Sequence, residues 1–147
     1  MCSSDLIHSV DSLKLAQQID RIAAELNIRP KICLQVKILA DPQKYGWTVP
    51  ELLIDLPQLD RLQHIDIQGL MAIPPLGLTP AQTQALFESV RDLSLQIRQQ
   101  SGGLRLDLPE LSMGMSGDYR SAITAGSTII RLGSILFGDR SRNGDEE

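Results

Sequence analysis

Strand-like runs alternate with helix-like runs along almost the whole sequence, and this alternation restricts the possible folds more than any other feature. Apolar and β-branched residues concentrate in five short runs, at 6–10, 32–38, 65–73, 111–115 and 129–132. The segments between several of these runs carry apolar residues at helical spacing. Strands that alternate with helices pair in parallel through right-handed crossovers. The sequence therefore predicts an α/β fold, either a barrel or an open doubly wound sheet.

Two capping boxes mark where helices should begin. Thr48 is followed three residues later by Glu51, and Thr79 is followed by Pro80 and then by Gln82. In such a box the N-cap hydroxyl and the N3 side chain satisfy each other's backbone N–H groups, and proline is favoured at the first helical position. No phosphate-binding glycine motif of the dinucleotide or P-loop type follows a strand, which disfavours a nucleotide-binding version of the fold.

Charge and composition argue against several classes of partner. The net charge is −4, aromatic residues make up 3% of the chain, and lysine and arginine are scattered. These values predict no nucleic-acid binding. No apolar run approaches the ~20 residues of a membrane span, and the first residues do not resemble a signal peptide. We therefore expect a cytoplasmic protein that does not enter a membrane.

The cysteines and histidines show no pattern of a metal site. Cys2 and Cys33 have neither disulfide-framework nor metal-ligand spacing, and Cys33 lies in an apolar strand. His8 and His64 are far apart, and no third ligand sits at a suitable spacing. We expect no metal, a reducing compartment, a buried or rim position for His8, and an exposed loop position for His64.

Three stretches carry a family resemblance. They are GLMAIPP at 69–75, LSMGMSGDYRSAITAGST at 111–128 and IRLGSILFG at 130–138, supported by IHSVDS at 7–12 and DPQKYG at 41–46. In this order and spacing they resemble the pyridoxal 5′-phosphate (PLP) homeostasis family, the single-domain relatives of the alanine racemase barrel. The resemblance covers residues 5–140, which we predict to be one domain, and leaves 141–147 as a polar tail.

The resemblance implies a partial (β/α)8 TIM barrel of the alanine racemase N-terminal-domain type, comprising about strands four to eight. The family's first three strands have no counterpart in this sequence, and one of them carries the lysine that forms the Schiff base with PLP. No catalytic residue is therefore assigned. The first and last strands of such a partial barrel would be sheet edges.

In barrels of this type, the loops after the last two strands bind the cofactor phosphate. By the resemblance, Ser116 supplies a hydroxyl and, with Gly117, backbone N–H groups, and Gly133 with Ser134 completes the site. The alternative for Gly117 and Gly133, as for Gly114, is that they shape turns.

The resemblance also implies residues at the ring end of PLP. Arg131 would face the pyridine nitrogen, and because a guanidinium can only donate hydrogen bonds, that nitrogen would stay unprotonated. Such a ring is a poor electron sink, which argues against aminotransferase-like chemistry. The alternative for Arg131 is a surface ion pair. Met71 would line the barrel mouth beside the ring, or else fill the core.

Local sequence context predicts roles for four further residues. Lys37, at a strand end, is a weak candidate to replace the missing lysine. Lys44 matches the family's Lys-x-Gly loop and either approaches the cofactor opening or is solvated. Trp47 is predicted to anchor a loop, and Asp118 to cap the helix after the fourth run.

Three functional hypotheses follow. The first is a non-catalytic PLP-binding homeostasis protein, or a fragment of one, that buffers PLP or delivers it to PLP-dependent apoenzymes; the family is usually monomeric. The second is a racemase-like PLP enzyme, which needs a lysine base and an opposing tyrosine, although Tyr45 lies in a predicted loop and Tyr119 at a helix start. The third is a truncated barrel remnant that binds no PLP because its open edges expose apolar surface.

Overall fold

Parallel strands form a single sheet in the computed structural model, which describes residues 6–100 and 104–138. The strands and helices follow each other as β1 (Leu6–Val10), α1 (Leu13–Leu26), β2 (Lys31–Lys37), β3 (Trp47–Thr48), α2 (Val49–Leu59), β4 (Asp66–Ala72), α3 (Pro80–Gln100), β5 (Glu110–Met115), α4 (Tyr119–Thr124), β6 (Ile129–Arg131) and α5 (Ser134–Phe137). The predicted tail at 141–147, the limits of the predicted domain at 5 and 140, and Cys2 lie outside the described residues.

The sheet has the order β1-β2-β4-β5-β6, and β3 pairs with β2 beside this path. All of these pairings are parallel. The predicted α/β architecture is confirmed, and the parallel half-barrel sheet fits the predicted partial TIM barrel. The described helices include none long and apolar enough to cross a membrane.

The two predicted capping boxes are present. The Glu51 carboxylate accepts hydrogen bonds from the backbone N–H of Thr48 at 2.8 Å and from its hydroxyl at 2.7 Å. At the start of α3, the Thr79 N–H donates to the Gln82 side chain at 2.9 Å, and the Gln82 N–H donates to the Thr79 hydroxyl at 3.2 Å. Helices α2 and α3 therefore begin where the local sequence signals place them.

Trp47 is predicted to anchor a loop, but it lies in a short strand. It begins β3 and pairs with Val36 of β2. Its side chain is 4% exposed, and the indole N–H donates to the Asp55 carboxylate at 2.9 Å. A two-residue strand leaves no periodicity in the sequence, which is why the run predictions missed it.

The apolar core is one connected cluster that joins the strands to α2 and α3. Alternate residues of the strands belong to it, as Leu34 of β2, Leu70 of β4 and Leu111 of β5 show. Successive side chains of a strand point to opposite faces, so the residues between them lie on the other side of the sheet. That other side is where the candidate site is found.

The sheet is strongly curved. Nδ1 of His8 on β1 lies 2.6 Å from the Ser112 hydroxyl on β5, although β2 and β4 separate these strands. Neighbouring strands are about 4.8 Å apart, so in a flat sheet the two strands would be roughly 14 Å apart. Direct contact between the side chains shows that the sheet bends toward this face, which we call the concave face.

Gly69 is required where β4 and β5 pair. It lies opposite Glu110, and a Cβ built on it would be 1.9 Å from the Glu110 carbonyl oxygen. That oxygen belongs to the backbone of the next strand and cannot move aside like a flexible side chain. Any side chain at this position would force the two strands apart.

We predict that Gly69→Ala lowers the free energy of unfolding by about 3 kcal/mol, the upper part of the usual overpacking range. Urea unfolding followed by circular dichroism measures this change. Gly117→Ala is the matched control, because a Cβ there meets no atom within 4 Å, and its stability should equal that of the wild type or slightly exceed it. Equal stability of Gly69→Ala and the wild type would contradict the pairing of β4 with β5.

Candidate cofactor site on the concave face

The turn after β5 holds Ser116 and Gly117. The Asp118 carboxylate accepts the backbone N–H of Met115 at 2.7 Å, and the Asp118 N–H donates to the Met115 carbonyl at 3.1 Å. The side chain makes no hydrogen bond to the start of α4. The prediction that Asp118 caps this helix is therefore wrong in its partner: the carboxylate fixes the end of the strand and closes the turn.

The turn after β6 meets the turn after β5. The Ser116 hydroxyl oxygen accepts the backbone N–H of Gly133 at 3.2 Å and that of Ile135 at 3.4 Å. Ser134 begins α5, a helix of one turn that the sequence did not predict. The structure thus brings Ser116, Gly117, Gly133 and Ser134 together, at the carboxyl ends of two neighbouring strands.

Backbone donors remain free at this meeting point, which we call the turn cluster (Ser116, Gly117, Gly133–Ile135). The N–H groups of Gly117 and Ser134 have no acceptor among the described residues. The N–H groups of Gly133 and Ile135 are satisfied only by the neutral Ser116 hydroxyl. The N–H groups of Gly133 and Ile135 thus converge on one oxygen atom, and converging backbone N–H groups are a feature of anion-binding sites.

Neither packing nor backbone conformation explains glycine at 117 and 133. A Cβ at either position would meet no heavy atom within 4 Å, and neither residue has the positive φ that favours glycine. Gly114 is different, because its φ is +98° and a Cβ would lie 2.7 Å from Cβ of Ala122. Turn shaping accounts for Gly114, whereas Gly117 and Gly133 leave open space beside the free N–H groups.

Arg131 extends from β6 onto the concave face. Its Nη1 donates to the Ser112 carbonyl at 2.9 Å and to the Ser112 hydroxyl at 2.6 Å, and its Nη2 donates to the Ala72 carbonyl at 3.3 Å. Burial lowers the pKa of Arg131, and the Asp118 carboxylate opposes that shift. A guanidinium has five N–H donors. The Nε–H and one Nη2–H therefore have no partner among the described residues.

The alternative of a surface ion pair for Arg131 is not what the structure shows. Within the described part of the chain, no carboxylate lies at ion-pairing distance from its guanidinium. Carbonyl and hydroxyl oxygens hold it instead, so its charge is not neutralised by direct contact.

Met71 lies next to Ser112 on the concave face. The two residues are paired in the β4–β5 ladder, and Met71 is 3% exposed. It does not belong to the core cluster between the sheet and the helices. Its position is consistent with the mouth-lining role that the sequence suggested.

The two candidate lysines differ in their surroundings. The Lys44 ammonium donates to the Ile73 carbonyl at 3.3 Å and to the Pro74 carbonyl, and it lies 3.5 Å from the Asp41 carboxylate. It is therefore not a freely solvated loop residue, but ties the loop after β2 to the loop after β4. Lys37 ends β2 and pairs with Thr48.

Ser112 is absent from the residues predicted from the sequence, and His8 is predicted there only as a buried or rim residue. Ser112 is fully buried and its hydroxyl contacts both His8 and Arg131. The available signal was a single small polar residue at an inward position of an otherwise apolar strand. Buried polar groups are nearly always hydrogen-bonded, so such a residue indicates a partner on the same face. The described residues contain no cluster of potential metal ligands.

Parallel strands, helical crossovers, and turns that meet at the carboxyl ends of the strands define a domain of the (β/α)-barrel type. The chain belongs to the family of alanine racemase N-terminal domains, whose model matches residues 1–141.

Two proteins illustrate this similarity. A pyridoxal phosphate homeostasis protein of Synechocystis sp. is 57% identical over 134 residues, which cover 91% of this chain and 60% of the relative. PipY of Synechococcus elongatus, solved without PLP, is 54% identical with a TM-score of 0.86, over 91% of this chain and 61% of PipY. PipY solved with PLP bound is 53% identical over the same shares, with a TM-score of 0.85. The chain thus spans about 60% of the length of these relatives.

Cys33 lies on β2 with its thiol buried. Burial, and secondarily the Glu110 carboxylate, raise the pKa of this thiol to about 12, and the Arg131 guanidinium opposes the shift. Because the thiolate is the reactive form, the folded chain should protect Cys33 from alkylation.

We predict that in a Cys2→Ser variant, which keeps Cys33 as the remaining cysteine, Ellman's reagent reacts with less than a tenth of the thiol in folded protein within the time that denatured protein reacts completely. Colorimetric thiol titration with and without urea measures this. Rapid labelling in native buffer would contradict the burial of the Cys33 thiol.

Proposed function

We propose that this chain binds PLP without catalysing a reaction of its own, and that it acts in PLP homeostasis by holding the cofactor or releasing it to PLP-dependent apoenzymes. The observation that carries the proposal is the turn cluster, where free and weakly satisfied N–H groups converge beside glycines that packing does not require. The PLP-bound structure of PipY supports the choice of ligand.

The turn cluster suits the phosphate end of PLP. An anionic oxygen is a stronger acceptor than a neutral hydroxyl, so phosphate can take over the N–H groups of Gly133 and Ile135 that Ser116 now satisfies. The Ser116 hydroxyl is then free to donate to the phosphate. The unsatisfied N–H groups of Gly117 and Ser134 supply further donors, and the open space at Gly117 and Gly133 admits the ligand close to the backbone.

Arg131 suits the ring end. Its Nε–H and its free Nη2–H can donate to a pyridine nitrogen, and a guanidinium cannot protonate that nitrogen at neutral pH. PLP supplies an aldehyde and an electron-withdrawing ring when it is bound, but the ring withdraws electrons poorly when its nitrogen is unprotonated. Met71, which pairs with Ser112, adds an apolar side chain to the same face of the sheet.

The described residues support holding the cofactor better than catalysing a reaction on it. Tyr45 is 78% exposed, and the Tyr119 hydroxyl accepts a hydrogen bond from its neighbour Arg120 at 3.3 Å. The Lys44 ammonium is engaged by two carbonyls and a carboxylate. None of these groups contacts the hydrogen-bond network of Arg131, so we do not propose the racemase-like alternative.

We predict that PLP binds at least ten-fold more tightly than pyridoxal, because pyridoxal lacks the phosphate that the turn cluster binds. A ten-fold difference corresponds to about 1.4 kcal/mol, within the range of one hydrogen bond to a charged group. Absorbance titrations with both ligands measure the ratio, and inorganic phosphate should compete with PLP. Equal affinity for PLP and pyridoxal would contradict the turn cluster as the phosphate site. No binding of PLP by folded chain would contradict the proposed function and favour a barrel remnant without cofactor.

We predict that Ser134→Asp weakens PLP binding by at least ten-fold, because it places a carboxylate among the donors meant for phosphate. Ser89→Asp, at an exposed position of α3, is the matched control for added charge and should bind PLP like the wild type. Circular dichroism and urea unfolding establish that both variants fold. Unchanged affinity in Ser134→Asp would show that the phosphate lies elsewhere.

A further inference from the structure

We infer that His8 is a positioning residue for Arg131, which it holds through the Ser112 hydroxyl in the orientation that presents the free guanidinium N–H groups to a ligand. The inference rests on the proposed function in one respect, that the ligand meeting those N–H groups is PLP. The hydrogen-bond chain itself exists without any ligand.

Three strands contribute to this hydrogen-bond chain. His8 comes from β1, Ser112 from β5 and Arg131 from β6, and the two side-chain links, His8 Nδ1 to Ser112 Oγ and Ser112 Oγ to Arg131 Nη1, are both 2.6 Å. His8 is 104 positions away from Ser112 in the sequence. The chain therefore connects the first strand of the sheet path to its last strands across the concave face.

The donors and acceptors give the hydrogen-bond chain a direction. A guanidinium only donates, so the Ser112 oxygen accepts from Arg131. The Ser112 hydroxyl hydrogen then has Nδ1 of His8 as its acceptor, which requires that Nδ1 carries no proton. The neutral imidazole with its proton on Nε2 is the form that satisfies every member of the chain.

The result is a guanidinium with a fixed plane. Nη1 is held by both oxygens of Ser112 and Nη2 by the Ala72 carbonyl. If the Ser112 hydroxyl lost its acceptor at His8, it could rotate, and the short bond to Nη1 would weaken. The Nε–H and the free Nη2–H would then no longer point in one direction.

Burial and the nearby Arg131 charge both favour the neutral form of His8. Burial, and secondarily the Arg131 guanidinium, lower the pKa of His8 below its ordinary value of 6.5. On the other strands of this face, Cys33 of β2 is a neutral thiol and Met71 of β4 carries no charge. The Asp118 carboxylate, in the turn after β5, raises the pKa of Arg131 and so favours its charged form. As the pH falls through the lowered pKa, Nδ1 becomes a donor and a second cation faces Arg131.

A histidine whose pKa is lower in the folded chain than in the unfolded chain makes its full contribution to stability at pH values above the unfolded pKa. That contribution is lost as the pH falls through the folded pKa. The stabilisation that comes from a neutral His8 is therefore complete above about pH 6.5. Its orienting effect on Arg131 persists in the folded chain until the pH falls through the lowered pKa.

The first test uses the ligand-free chain and nitrogen-15 NMR. The sequence has two histidines, and a His64→Gln variant assigns the remaining imidazole to His8. We expect an unprotonated Nδ1 at neutral pH, a titration midpoint below 6.5, and a sharp Nε–H resonance of Arg131 that broadens in His8→Leu but not in His64→Leu. A protonated Nδ1, or an unchanged Arg131 signal in His8→Leu, would overturn the inference.

The second test measures PLP affinity between pH 5 and pH 8 for the wild type, His8→Leu and His8→Asn. Loss of one hydrogen bond predicts a weakening of about five-fold in His8→Leu at pH 7.5. The Asn amide oxygen can accept where Nδ1 does, so His8→Asn should restore affinity and should lose less affinity toward acid pH than the wild type. The ligand's own titration is the same for all variants.

The two tests distinguish a failure of the positioning role from a failure of the proposed function. If the wild type binds PLP and His8→Leu binds it equally well, the positioning role is wrong and the proposed function stands. If the wild type binds no PLP, the proposed function fails, and the ligand-free NMR experiment still decides whether His8 orients Arg131. Urea unfolding of His8→Leu beside His64→Leu shows whether any loss reflects misfolding.

Discussion

A guanidinium placed among apolar side chains destabilises a fold unless its N–H groups are hydrogen-bonded. Arg131 meets this requirement with oxygens from β4 and β5 rather than with a carboxylate. Those oxygens are within reach because the parallel sheet curves, and Gly69 permits the close approach of β4 and β5. The curvature, the strand pairing and the site on the concave face are thus parts of one arrangement, and a change in one disturbs the others.

The two ends of the candidate site follow different physical rules. At the turn cluster the donors are backbone N–H groups, whose positions are set by the ends of β5 and β6 and by the Asp118 carboxylate. At the ring end the donors belong to a long side chain that needs neighbours to fix its orientation. The first kind of site is built into the strand order, whereas the second depends on contacts among β1, β4, β5 and β6.

Much of the fold could be predicted because its signals are local. The Thr48 and Thr79 capping boxes join residues three positions apart, and the five strand runs have their own composition. The contact between His8 and Ser112 could not be predicted, because it depends on how far the sheet bends. The one-turn helix α5 and the two-residue strand β3 are too short to show a period. Asp118 was placed at the correct turn but given the wrong partner, since its sequence position alone does not choose between the strand end and the helix start.

We propose that the turn cluster binds the phosphate of PLP through its backbone N–H groups. The most direct test of this proposal is a series of proton–nitrogen correlation spectra of the nitrogen-15-labelled chain, titrated separately with PLP and with inorganic phosphate. We expect the amide signals of the four donors to shift most, and saturably, with both ligands; these are Gly117, Gly133, Ser134 and Ile135. Saturable shifts with PLP that leave these amides unchanged would contradict the proposal.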